Sequence, residues 1–266
     1  MLQVEFAQLS DPGRLRDHNE DFFGCVLPQT PDEARMQGWL FALADGVGGL
    51  QRGEVASSMA VEHVLDGFRN STRGEQLNAV LPRLLQTANT NVFETAMATG
   101  VSGSSMATTM VACALRYDHA VISHVGDSRC YLIRKRQAEV LTRDHTISNE
   151  HLRLGLVATK ETATSESSHV LSRAIGSNMF VQVDTSERQV FAGDVLLLCS
   201  DGLHHSVEQE DIAEIVGDGS DLEDAARRLV ALARERDGSD NISVQILRVQ
   251  SVERVGMFRG RHYKIR

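Results

Sequence analysis

The stretch that most constrains this chain is WLFALADGVGG, Trp39–Gly49. Its apolar run from Leu40 to Ala44 is short and uninterrupted, which predicts a strand buried on both faces. The run stops at Asp45, and three of the next four residues are glycine (Gly46, Gly48 and Gly49), with Val47 among them. Such a turn can bend sharply and bring its carbonyls close to a ligand. A carboxylate at the end of a buried strand is costly unless it is solvated or matched by positive charge. Taken alone, the stretch is a strand followed by an Asp-Gly turn. A metal-bridging aspartate is the sharper reading, and it needs partners elsewhere in the chain.

With 266 residues the chain can form one large domain or two small ones, and no linker or internal repeat divides it. The net charge of −9 argues against a general nucleic-acid binder and suits carboxylates gathered around divalent cations. That charge is uneven. Ser251–Arg266 carries net +4, from Arg254, Arg259, Arg261, Lys264 and Arg266 against Glu253, leaving −13 on the preceding residues. A solvated, mobile tail is the expectation, with contact to an acidic or phosphorylated partner as the alternative. No leader pattern and no membrane-length apolar run occurs, so no membrane association is expected. Cys25, Cys113, Cys130 and Cys199 are dispersed in strand-like contexts without a CxxC pair. Reduced, buried thiols in a cytoplasmic protein fit this better than zinc ligands or disulfides.

Periodicity predicts strands at Leu2–Leu9, Phe22–Leu27, Ala107–Leu115, His119–Val125, Arg129–Arg134, Ala138–Leu141, Asp194–Cys199 and Ile242–Val249, with shorter pieces at Val181–Asp184 and Arg188–Phe191. Helices are expected over Gly53–Phe68 and from about Glu75 to Met97, where Pro82 marks a kink or a late start. Two more follow capping boxes, Ser206 with Gln209 and Ser220 with Glu223, the second running over Leu222–Arg236. Pro28–Gly38 reads as a surface connection and Gly100–Ser105 as a small-residue loop. Asp144–Ser168 is polar and weakly periodic, with some helix near Ser148–Leu154; loops this long are uncommon unless functional. The class is α+β, with antiparallel sheets covered by helices.

Five acidic residues fall at turns beside strands: Asp21, Asp45, Asp127, Asp201 and Asp240. Each is individually an ordinary turn residue that can satisfy local backbone donors. Together they form an oxygen-only donor set suited to Mg²⁺ or Mn²⁺, and no His/Cys cluster competes for that role.

The motifs RDHNED (Arg16–Asp21), ADGVGG (Ala44–Gly49), SMATTMVACAL (Ser105–Leu115) and VGDSRCYLI (Val125–Ile133) are followed by LTRDH (Leu141–His145), LSRAIG (Leu171–Gly176), LLLCSDGL (Leu196–Leu203) and SDNISV (Ser239–Val244). In this order the chain resembles the bacterial branch of the metal-dependent protein phosphatases of type 2C (PPM) from about Leu2 to Val249. The resemblance implies a four-layer αββα sandwich, with one phosphatase domain over residues 1–250, a flap at about 144–168, and the basic tail 251–266 outside it. It also implies hydrolysis of phosphoserine and phosphothreonine in protein substrates by in-line attack of a metal-bridging hydroxide. Asp45 would bridge two Mn²⁺ or Mg²⁺ ions, the Gly46 carbonyl would contact the second, and Asp201 and Asp240 would complete the first. Glu20 and Asp21 would act through waters or hydrogen bonds, and Asp127 with Asp201 would hold a third ion. Arg16 would grip the phosphate oxygens, a task its planar fork suits.

Val47 stands where many eukaryotic relatives carry a histidine that can protonate the leaving group, so the proton must come from elsewhere or not be needed. Ala107 replaces the usual glycine before Thr-Thr, and the flap lacks a His-Pro before its closing strand, having SESSHV (Ser165–Val170) instead. His204 and His205, after the DGL turn, are near enough in sequence to approach the site, but the expectation is a surface position near the following helix. The partners implied are phosphorylated proteins, including a Ser/Thr kinase whose action the enzyme reverses, with the chain a monomer. The alternatives are a pseudophosphatase that binds without turnover and a switch enzyme dedicated to one phosphorylated regulator.

Overall fold

The computed structural model describes residues 1–47, 52–99, 106–155, 170–258 and 261–264. Two five-stranded antiparallel sheets form its centre. The first has the order β1 (Gln3–Asp11), β10 (Ile242–Ser251), β9 (Val195–Cys199), β6 (Arg129–Arg134), β7 (Gln137–Val140). The second runs β2 (Phe22–Val26), β3 (Trp39–Ala44), β4 (Met110–Arg116), β5 (His119–Val125), β8 (Asp184–Gln189). Alternation along each strand decides the layers. On β3, Phe41 and Leu43 point between the sheets and meet Leu196, Leu198 and Leu247 of the other one. Leu40, Ala42 and Ala44 point the opposite way, against the helices α2 (Gly53–Arg69) and α3 (Leu77–Ala98). On the far side, Leu197, Val244 and Ile246 pack under α6 (Gln209–Gly217) and α7 (Leu222–Arg236). The result is an αββα sandwich. Every residue from Leu40 to Ala44 is fully buried, because a central strand between a sheet and a helix layer has no solvent face.

Local chemistry departs from the sequence reading in several places. A short helix, α1 (Pro31–Met36), occupies the expected surface connection. Thr30 caps it by accepting from the Glu33 N–H at 3.2 Å, and proline opens it at a position where no N–H is needed. α3 begins at Leu77 and runs through Pro82. Instead of two strand pieces there is one polar strand, β8, whose residues alternate between half-buried and exposed. It is an edge strand paired only to β5, so it needs few apolar residues. Neither capping serine caps. Ser206 bonds back to the carbonyls of Gly202 and Leu203, and α6 has Glu208 at its N-cap with no side-chain bond. α7 is capped by Asp221, which accepts from Glu223 and Asp224. The tail is not an unstructured end throughout: Val255–Phe258 (β11) and Arg261–Lys264 (β12) pair as an antiparallel hairpin. Within the Asp144–Ser168 segment, α4 (Ile147–Arg153) is helical, while 156–168, like 100–105 and the last two glycines of the opening motif, lies outside the described residues.

Candidate active site

Strand register brings the predicted carboxylates to one rim of the sandwich. Phe22 pairs with Ala44, so Asp21 and Asp45, one step beyond that pair, stand side by side. Arg129 and Val244 both pair with Cys199, so the Gly126–Ser128 turn and the Ser239–Asn241 turn flank Ser200 and Asp201. Asp201 opens a single helical turn, α5 (Asp201–His204). Three polar contacts hold these pieces together across the sheets. Ser200 Oγ donates to Asp21 Oδ2 at 2.8 Å, and the Glu20 N–H donates to Asn241 Oδ1 at 2.8 Å. The Thr109 and Ser128 hydroxyls meet at 2.7 Å.

The backbone of Asp45 is fully engaged. Its N–H donates to Thr109 Oγ1 at 2.9 Å, and its carbonyl accepts from Thr109 N–H at 2.8 Å and Thr108 Oγ1 at 2.7 Å. The carboxylate opens on a cleft of about 840 Å³ whose lining includes Arg16, Asp45, Val47, Asp127, Asp201 and Asp240. Glu20, Asp21 and Gly46 lie behind this lining. Gly46 donates its N–H to the Glu20 carbonyl at 3.1 Å; a Cβ there would meet the Gly53 backbone at 2.6 Å. Arg16 pairs with Asp240 at 2.7 Å.

The electrostatics of this rim are unfavourable to protein alone. Burial, then Asp21 and Asp201, pushes the Asp45 carboxyl well above the ordinary carboxylate range. Burial pushes Asp21 up to about 7 against the pull of the Ser243 and Ser200 hydroxyls, and burial with Asp201 and Asp144 pushes Asp127 up to about 8. Asp21 Oδ1 is buried with no hydrogen-bond donor. Arg129, the cation nearest Asp127, is already bound by both oxygens of Asp144 at 2.6 and 2.9 Å. Buried, mutually repelling oxygens of this kind suit hard divalent cations. Among the described residues, no three rim carboxylates have oxygens within 4.8 Å of one another.

The group of three that does have this spacing among the described residues is His124, His145 and Asp184. Its charge is already balanced. Arg173 Nη1 stands 3.0 Å from Asp184 Oδ1 and 3.3 Å from His145 Nε2, while its Nη2 holds Glu150 of α4 at 3.0 Å. Burial, His124 and Arg173 lower the His145 pKa to about 4, so the ring is neutral. The group is a brace between α4 and β8.

A family model described as Protein phosphatase 2C matches residues 19–243. The chain belongs to the protein phosphatase 2C family. It is 33% identical over 263 residues to the serine/threonine phosphatase stp of Listeria innocua, covering 98% of this chain and 99% of that one. Among solved structures, the serine/threonine phosphatase Stp1 of Staphylococcus aureus superposes with a TM-score of 0.83 at 28% identity, over 94% of this chain and 96% of that one. The catalytic domain of the phosphatase PstP, in complex with two manganese ions, superposes at 0.77 with 30% identity, over 94% and 99%. This chain is accordingly a metal-dependent protein serine/threonine phosphatase, and its substrates are phosphorylated proteins. No described helix is long and apolar enough to cross a membrane.

Within this type 2C site the two histidines are not where the sequence reading puts them. His204 is buried and hydrogen-bonds through Nε2 to the Asp127 carbonyl at 3.0 Å. His205 lines the cleft, with Nδ1 3.5 Å from Asp201. The turn after Asp201 is helical, which turns His205 to the cleft and buries His204 against the Asp127 carbonyl. Thr109, Ser128, Ser200 and Asn241 were not singled out by sequence, although each lies inside a quoted motif next to a strand end. Arg173 was hidden in LSRAIG, because only its fold neighbours reveal that it faces the cleft.

Proposed function

We propose that the rim carboxylates are the metal centre of this phosphatase and that Arg16 binds the substrate's phosphate. Asp45 would be shared by two Mn²⁺ or Mg²⁺ ions, with the Gly46 carbonyl on the second and Asp201 and Asp240 on the first. Asp127, with Asp201, would hold a third. Glu20 and Asp21 would act from behind through waters. The observation that carries this reading is the convergence of buried, mutually repelling aspartates on one cleft, with Arg16 as the cation in its lining nearest to Asp240. Bound divalent cations supply a water of lowered pKa and positive charge opposite the phosphate oxygens.

The chain's own residues do the rest. Asp45, held by three backbone bonds to Thr108 and Thr109, keeps its carboxylate at a fixed point of the cleft. Asp240 Oδ2 holds the Arg16 guanidinium at the cleft through one nitrogen at 2.7 Å, which leaves its other N–H groups to face a phosphate. The guanidinium fork can take two phosphate oxygens and offset charge as it spreads over them in a loose transition state. Val47 has no proton to transfer, so the leaving oxygen is protonated by another group or departs without a proton. Residues 1–250 are read as the phosphatase domain and 144–168 as its flap. One chain supplies every residue of this site, so a monomer suffices. The free thiols of Cys113, Cys130 and Cys199, all buried, fit a reducing cytoplasm, where the enzyme would oppose a Ser/Thr kinase.

The test is Mn²⁺-dependent phosphate release from a phosphothreonine peptide, paired with calorimetric Mn²⁺ titration. Asp201→Asn should lose a tight Mn²⁺ site and at least a hundredfold in turnover, about the loss expected when one preorganised electrostatic group is removed. Unchanged titration and turnover in that variant would remove Asp201 from the metal centre.

A further inference from the structure

Phosphate hydrolysis makes no use of the apolar surface at the mouth of this cleft. Ser177 and Asn178 line the cleft together with Arg16, Asp45 and Asp201. The next two residues, Met179 and Phe180, are 51% and 76% exposed, and Val170, also in the lining, is 49% exposed. Single exposed apolar residues are ordinary, but a group of them beside a binding cleft marks an interaction surface.

The backbone that carries them is held from below. Asn89 of α3 is fully buried inside the apolar layer under the second sheet. Its Nδ2 donates to the carbonyls of Asn178 at 2.9 Å and Met179 at 3.1 Å, and its Oδ1 accepts from the Gly176 N–H at 2.9 Å. Gln86, one turn earlier, donates to the Met179 carbonyl at 3.2 Å and accepts from the Val181 N–H at 3.2 Å. A buried amide is costly unless satisfied, and Asn89 is satisfied by this segment. The rim is therefore a fixed platform whose polar groups face inward and whose Met179 and Phe180 side chains face out.

We propose that Met179 and Phe180 form an apolar subsite for the phosphoprotein substrate, selecting phosphoserine or phosphothreonine with a large apolar residue a few positions away. The occupant is a segment of the substrate, because the platform is continuous with the cleft that receives the phosphate. This proposal rests on the reading of that cleft as the active site.

The experiment compares Mn²⁺-loaded enzyme on phosphothreonine peptides that carry leucine or serine at each position from three before to three after the phosphothreonine. A blocked phosphothreonine with no flanking residues serves as reference. At one or more positions leucine should raise kcat/KM about tenfold, through KM. The double variant Met179→Ser with Phe180→Ser should abolish that preference while leaving the blocked phosphothreonine unchanged, and Phe180→Leu should retain it. No preference at any position, or a preference that survives the double variant, overturns the proposal. Loss of self-association in the double variant with unchanged peptide kinetics assigns the patch to a second copy and also overturns it. Failure of the active-site reading looks different, since Asp45→Asn would then still hydrolyse the blocked phosphothreonine.

Discussion

An added methyl at Gly202 would lie 2.2 Å from the carbonyl oxygen of Asn241, backbone against backbone, with no flexible side chain to give way. That contact sets how closely the Asp201 turn approaches the Asp240 turn. Gly202→Ala should therefore lower the melting temperature and weaken Mn²⁺ binding at least tenfold by calorimetry, although the substitution touches no carboxylate. A variant that folds with unchanged Mn²⁺ affinity would show that the spacing of the two turns is not critical. Thr109 acts at the same scale. Its buried hydroxyl accepts from the Asp45 N–H and meets Ser128 Oγ, so Thr109→Val keeps the shape and strands that N–H. The expected loss is about 1–3 kcal/mol of unfolding free energy, the range for a buried polar group left without its partner, read from urea melts. A loss within error of zero would mean that the N–H finds another acceptor.

Elements were legible where burial alone determines them. Leu40–Ala44 and Val195–Cys199 are apolar runs in the sequence and central strands in the fold, and the carboxylates that follow them were visible as strand endings. β8 was not legible as one strand, because Asp184–Gln189 is an edge strand polar on both faces and its pairing with β5 is a tertiary choice. The caps failed for a similar reason. Ser220 and Asp221 are both competent N-cap residues, and one residue of register decides between them. The brace on α4 was invisible to any local rule, since Glu150, Arg173, Asp184, His145 and His124 are scattered over 61 positions (numbers 124 to 184). With only Ser148 buried, α4 has little apolar contact of its own. Arg173→Met should therefore speed amide exchange across 147–153 while leaving β3 and β9 protected, measured by mass spectrometry. Equal protection in both proteins would mean that other contacts hold the helix.

At the scale of the whole molecule, the sandwich spends stability to gather acids at one rim, and the sign of its pH dependence follows. Asp21 and Asp127 have folded pKa values raised to about 7 and about 8 from an ordinary 3.8. Between those limits the metal-free fold holds protons that the unfolded chain has released, so its stability falls as pH rises. His145, lowered to about 4 from 6.5, acts oppositely: the unfolded chain takes up that proton first, so stability is lost as pH falls through 6.5 toward 4. Above pH 6.5 the histidine no longer contributes and the acids dominate. In a chelator, the melting temperature should decline from pH 6.5 to 8.5, and Asp127→Asn should flatten that decline. Mn²⁺ should reverse it, because cation binding displaces the same protons and grows tighter as they leave. A chelated profile that is flat across this range, or equal slopes with and without Mn²⁺, would show that these aspartates are not where the fold and the metal meet.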